Sequence, residues 1–105
     1  MDHDLCRLTA SEAAQRIAAR DIKAEELVRS CLDRIEAREA TVGAWEHVDP
    51  DNVLAEARKR DAEPARGPLH GIPVGVKDII DTDDMPTRMA SPIYADNHPD
   101  RDAAC

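Results

Sequence analysis

A chain of 105 residues with a formal net charge of -8 has room for one small domain at most. Leu, Ile and Val total 19 residues, Phe is absent and 17 of the apolar residues are alanines, so side chains that remove much surface from water are scarce. Few large apolar residues beside a high net charge place the chain at the edge of the disordered class and argue against a self-sufficient core, yet the apolar positions are periodic, which predicts a piece of a larger fold.

The balance of 22 acidic against 14 basic residues argues against nucleic acid as a partner, because phosphate binding rests on clustered cations and the eleven arginines here are spread among Asp and Glu. No apolar run approaches the ~20 residues that span a bilayer, so no membrane partner is expected. The start, Met1-Asp2-His3-Asp4, is acidic where a secretory signal is basic, and no apolar stretch follows, so a cytoplasmic protein is expected. Cys6, Cys31 and Cys105 are odd in number, widely spaced and without a CxxC pair, which gives a disulfide framework or a zinc site little support.

Thr9 and Glu12 have the spacing of a capping box and predict a short helix to about Arg20. Asp21-Ile22-Lys23 interrupts it. From Ala24, Leu27, Val28, Cys31, Leu32 and Ile35 share one face of a longer amphipathic helix, with Glu25, Glu26, Arg29, Asp33, Arg34 and Arg38 mostly opposite. Cys31 in that stripe reads as a small buried hydrophobe.

Val42 to Val48 breaks the period with β-branched and aromatic content and predicts a short extended segment, in which Trp45 reads as a core anchor. Asp49-Pro50 opens a third helix, carrying Val53, Leu54 and Ala57, that ends before Pro64. Gly67-Pro68 makes the turn that closes this helical half.

Beyond Leu69 the pattern changes. Ile72, Val74 and Val76 alternate with Pro73, Gly75 and Lys77, which predicts a strand whose second face is bare of side chains until Lys77. Pro86, Pro92 and Pro99 then punctuate an irregular stretch, and Arg101 to Cys105 is the opening of a possible further helix.

Lys77 is one of three lysines and falls in the most apolar strand. An ammonium among Ile, Val and Gly loses hydration, which makes the neutral amine available as a base. The alternative is a lysine at a strand end that snorkels to solvent or pairs with Asp78 or Asp81. The acidic group Asp78, Asp81, Asp83 and Asp84 lacks the glycine and terminal glutamate of a calcium loop, so no metal is expected. His3, His47, His70 and His98 lack ligand-like spacing, and His70 is expected to hold the turn before the strand by hydrogen bonds.

The stretch from Gly67 to Thr82, Gly-Pro-Leu-His-Gly-Ile-Pro-Val-Gly-Val-Lys-Asp-Ile-Ile-Asp-Thr, continues through Met85-Pro86-Thr87 and Ser91-Pro92-Ile93-Tyr94 and closely resembles the amidase signature family. Leu8 to Glu12, Ala24 to Leu27 and Ala37 are similar to the family's N-terminal helices, so the resemblance covers essentially the whole chain. It implies an α/β fold, a mixed sheet covered by helices, of which residues 1–105 are the N-terminal part of one amidase domain: 1–66 helical, 67–105 carrying the first strand and the loop after it.

The resemblance further implies hydrolysis of a carboxylic amide by a Ser, cis-Ser, Lys triad without a cofactor, with Lys77 at the position of the triad lysine. The partners it implies are a small-molecule amide substrate and a homodimer of the full-length enzyme. Ser11, Ser30 and Ser91 are the only serines, and none lies in the Gly/Ser-rich segment that supplies the family's nucleophile, so the chain is expected to be a truncated fragment, inactive alone. Asp83 stands where the family commonly has alanine, Ala90 where it has glycine and Lys23 where it has a serine cap. The motif looks more like free-standing amidases than the A-type component of the amidotransferase acting on mischarged transfer RNA. That component stays as one alternative, and a non-catalytic interaction module docking through Leu27, Cys31 and Ile35 as another.

Overall fold

The structure, a computed structural model, describes residues 4–105, so His3 lies outside the described residues. Three α-helices form its regular part: α1 (Ala10–Ala18), α2 (Ala24–Val42) and α3 (Pro50–Ala62). Short 3-10 turns at Leu5–Arg7 and Pro92–Tyr94 complete it. The chain divides into two compact units, one from the N-terminus to Ala44 with Asp49–Pro73, the other Trp45–Val48 with Val74–Cys105.

The helical unit forms where its local signals point. The Thr9 hydroxyl accepts from the Glu12 amide and the Glu12 carboxylate from the Thr9 amide, so two of the orphan donors at the start of α1 are satisfied reciprocally. Asp49 caps α3 by accepting from the Asn52 amide, and Pro50 takes the first helical position, where a missing N–H is no loss. α2 takes in Val42, the first residue of the expected extended segment, and stops there because Gly43 takes the left-handed conformation (φ +58°), its amide donating to the Glu39 carbonyl.

Lys23 has no acceptor to cap α2. Asp61 near the end of α3 does so instead, its two carboxylate oxygens accepting from the amides of Ala24 (2.7 Å) and Glu25 (3.1 Å). This bond also ties α3 across α2. The core is small, as the composition requires. Leu5, Ala13, Ile22 and Leu27 form one buried cluster with Leu8, Ile17, Cys31 and Ile72 against it; Ala24, Val28 and Ala57 form a second with Leu32, Val53 and Leu54.

The expected strand over 72–77 does not form. The segment is without regular structure: a strand exists only through its ladder, and the amides of Val74, Gly75, Val76 and Lys77 have no partner among the described residues. No residue among those described is in a strand, so the chain itself is helical and irregular, without the expected sheet. The C-terminal run forms no helix either. The Ala103 amide donates to the Asp81 carbonyl and the Asp102 carboxylate accepts from the Asp83 amide, so the groups that would start a helix are bound to another segment. Trp45 is 44% exposed and is no core anchor; its ring lies against Gly75, where an added Cβ would come within 3.1 Å of it. No helix among the described residues is long and apolar enough to cross a membrane.

Candidate functional site

Two turns set the segment that carries Lys77. The first is in the helical unit, where the His70 amide donates to the Gly67 carbonyl and the Ile72 amide to the Leu69 carbonyl. His70 holds this turn as expected: its Nε2 donates to the Arg60 carbonyl (2.7 Å) while its Nδ1 accepts from the Arg66 amide (3.3 Å). A carbonyl can only accept and an amide only donate, so the two contacts select the Nε2–H tautomer. Gly71 follows at φ +84°, and a Cβ there would lie 3.0 Å from the Ala24 Cβ, so only glycine lets the chain pass this close to α2.

The second turn is in the other unit and begins at Lys77 itself, whose carbonyl accepts from the Ile80 amide (3.0 Å). Lys77 is exposed, as are Val74 and Val76, so the apolar surroundings expected from the alternation are not assembled within residues 4–105. Among the described residues the Lys77 ammonium has no ion pair. Asp78, the partner considered for it, turns its carboxylate to the backbone of 88–90, accepting from the amides of Arg88 (2.8 Å) and Ala90 (3.4 Å), and its carbonyl accepts from Met89.

That loop is braced from the far side. Thr87 is 1% exposed; its amide donates to the Asn97 carbonyl, and the Asn97 side-chain amide donates back to the Thr87 carbonyl. Arg88 Nε donates to the Ala95 carbonyl and Nη1 to the Glu46 carbonyl, both at 3.0 Å. Sequence reasoning passed over Arg88 and Asn97. Their only signal was a turn-forming Asn and a lone cation in a helix-free, proline-rich stretch.

The serines are placed elsewhere. Ser11 lies in α1, Ser30 in α2 accepts from the Cys6 amide, and Ser91 caps the turn at Pro92–Tyr94 by accepting from Ile93. No group of His, Cys, Asp and Glu among the described residues could hold a metal ion. Chemically, the site offers an accessible amine on a braced backbone, with no nucleophile bound to it among the described residues.

Residues 26–105 match the family model described as Amidase. The chain is 44% identical over 100 residues to the A-type component of the glutamyl-tRNA(Gln) amidotransferase of Chloroflexus aurantiacus, covering 91% of the chain and 20% of that protein. To the protein of the same name from Acidothermus cellulolyticus it is 45% identical over 104 residues, 95% of the chain and 21% of the relative. To an amidase of Pseudomonas putida it is 38% identical over 93 residues, 86% of the chain and 20% of the relative. The chain thus spans about a fifth of the length of these curated relatives. No solved structure matches it.

Proposed function

The chain belongs to the Amidase family, and on that footing we propose that it is the N-terminal part of an enzyme that cleaves carboxylic amides, with Lys77 as the proton acceptor of a Ser, Ser, Lys triad. The observation that carries this is the family match itself, which runs continuously through the Lys77 segment. Neutral Lys77 takes a proton from a bridging serine, and that serine takes the proton of the nucleophilic serine as its oxygen adds to the amide carbon. As the tetrahedral adduct collapses, the proton passes from Lys77 back through the bridging serine to the departing nitrogen, which leaves as ammonia or amine, and water then hydrolyses the ester that remains. Both serines come from outside residues 1–105, and with them the sheet partners that would close the open backbone edges of 73–77 and cover Val74 and Val76. A cytoplasmic location, a small amide substrate and a dimeric enzyme belong to the same proposal.

The identities favour a second reading within the family. The two amidotransferase proteins match at 44% and 45%, the amidase at 38%, the reverse of the leaning toward free-standing enzymes that the motif alone suggested. In that reading the amide is the donor for amidating glutamyl-tRNA(Gln), and hydrolysis of glutamine in preference to benzamide by the full-length protein distinguishes it.

The test of Lys77 is the pair Lys77→Ala and Lys77→Arg in the full-length enzyme. Alanine lowers kcat by about 10²–10⁴, the range for removal of a general base. Arginine keeps charge and approximate reach but cannot lose its proton near neutral pH, so it is nearly as inactive while the protein stays folded. An active Lys77→Arg enzyme overturns the assignment.

A further inference from the structure

We propose that Asp78 is a positioning residue that sets the direction in which Lys77 projects, an inference that rests on the reading of Lys77 as the proton acceptor. Lys77 is exposed and its ammonium meets no carboxylate among the described residues, so its aim is inherited from the backbone beneath it. That backbone is anchored at the next residue. Three successive amides, those of Arg88, Met89 and Ala90, converge on Asp78, two on its carboxylate and one on its carbonyl.

The turn that presents them is one the chain does not adopt by preference. Met89 and Ala90 stand at φ +55° and +53°, and each such residue costs about 1–2 kcal/mol in the left-handed region. Conformations of this kind persist only where surrounding bonds over-determine them. Here those bonds are the Asp78 carboxylate on one side and the Arg88 and Asn97 bonds on the other. Asp78 is therefore the link between a strained, braced loop and the residue that carries the amine. It does not act as a counter-ion to Lys77, because each of its oxygens is already bound to an amide and no ion pair with the lysine forms.

A displaced general base loses rate without losing binding. In the full-length enzyme, Asp78→Ala is expected to lower kcat by up to about 10²-fold with KM unchanged, the scale of a misplacement near 1 Å. Asp78→Asn keeps one acceptor for the Arg88 amide but sets an NH2 group or a poorer acceptor at Ala90, so its loss is smaller. The midpoint of the acid limb of the pH profile stays where it is. In a Lys77→Ala background, Asp78→Ala lowers the residual rate no further, because there is no base left to misplace. Asp84→Asn, in the same acidic run but without a hydrogen bond among the described residues, leaves kcat as it is.

Each other result counts against the proposal. Wild-type kcat in both Asp78 variants, with Lys77→Ala inactive, overturns the positioning role and leaves the base intact. Equal losses from Asp78→Ala in the wild-type and Lys77→Ala backgrounds show a general folding defect, and a moved acid limb shows a counter-ion. An active Lys77→Ala enzyme overturns the reading of the base, and the role of Asp78 with it.

Discussion

The helical unit and the unit built on Val74–Cys105 solve the same problem by opposite means. In the first, backbone polar groups are satisfied within helices and their caps, which frees Leu27, Val28 and Ala57 to be buried. In the second, part of the backbone is satisfied group by group, the amides of Arg88 and Ala90 by the Asp78 carboxylate and the carbonyls of Glu46, Thr87 and Ala95 by the Arg88 and Asn97 side chains, and apolar side chains face outward: Val74 is 76% exposed, Ile79 63% and Ile93 87%. A helix needs only its own residues to close its hydrogen bonds, whereas an extended segment needs a neighbour. The unit that carries Lys77 therefore holds its shape by polar bonds and leaves its apolar face uncovered.

The largest test of this contrast is truncation in each unit. Leu27→Ala empties a site 4% exposed in the helical core and should cost about 2–5 kcal/mol, enough to abolish the helical circular dichroism of a chain this small. Val76→Ala, at 41% exposure, should leave the signal within experimental error. A loss from Val76→Ala matching that from Leu27→Ala would mean that the Val74–Cys105 unit has a core of its own.

What could be read from the sequence follows the same division. The starts of α1 and α3 were legible because a cap is a local device, spelled by Thr9 with Glu12 and by Asp49 with Pro50. The cap of α2 was not, since Asp61 lies 36 to 37 residues from the amides it binds and no spacing rule connects them. The alternation of 72–77 pointed to a strand whose ladder is not formed among the described residues, because period two reports how a segment fits a sheet and not whether the sheet is present. For the site, Lys77 stood out by its setting. The bonds from Asp78 to 88–90 span 10 and 12 residues of irregular chain, where hydrogen-bond partners follow no period.

Two exchanges of glycine and alanine sharpen the comparison further, with opposite signs. Gly71→Ala places a Cβ 3.0 Å from the Ala24 Cβ at φ +84° and should destabilise the helical unit by about 2–4 kcal/mol, overpacking added to left-handed strain. Ala90→Gly relieves left-handed strain in the other unit, partly offset by the greater freedom of glycine in the unfolded chain, for a net gain of roughly 0.5–1 kcal/mol. Thermal melts report the first. Slower exchange of the Arg88 and Ala90 amides reports the second, and faster exchange in Ala90→Gly would show that the positive φ is not a strain.

The smallest expected effect is a response to acid confined to the helical unit. Glu25 is held below the ordinary glutamate value of 4.5, chiefly by the Arg58 hydrogen bond at 2.7 Å, and Glu56 likewise, chiefly by Lys59 at 2.9 Å. For Glu63 burial pushes upward, but hydrogen bonds and charge from Arg60 and Arg66 outweigh it, and the net shift is again downward. A carboxyl that is more acidic folded than unfolded stabilises the fold above its unfolded value, and that contribution is lost as pH falls through the folded one. Helicity should therefore hold at pH above the ordinary glutamate value of 4.5 and decline as pH falls below it. Because the three carboxylates are solvated the decline is shallow, and because exposed ion pairs are screened it should shrink further in 1 M salt. Glu25→Gln removes one group from the balance and should flatten the profile in low salt. An acid decline unchanged by both salt and Glu25→Gln would place its origin outside these pairs, and the Val74–Cys105 unit, whose carboxylates bind backbone amides, is where it would then be sought.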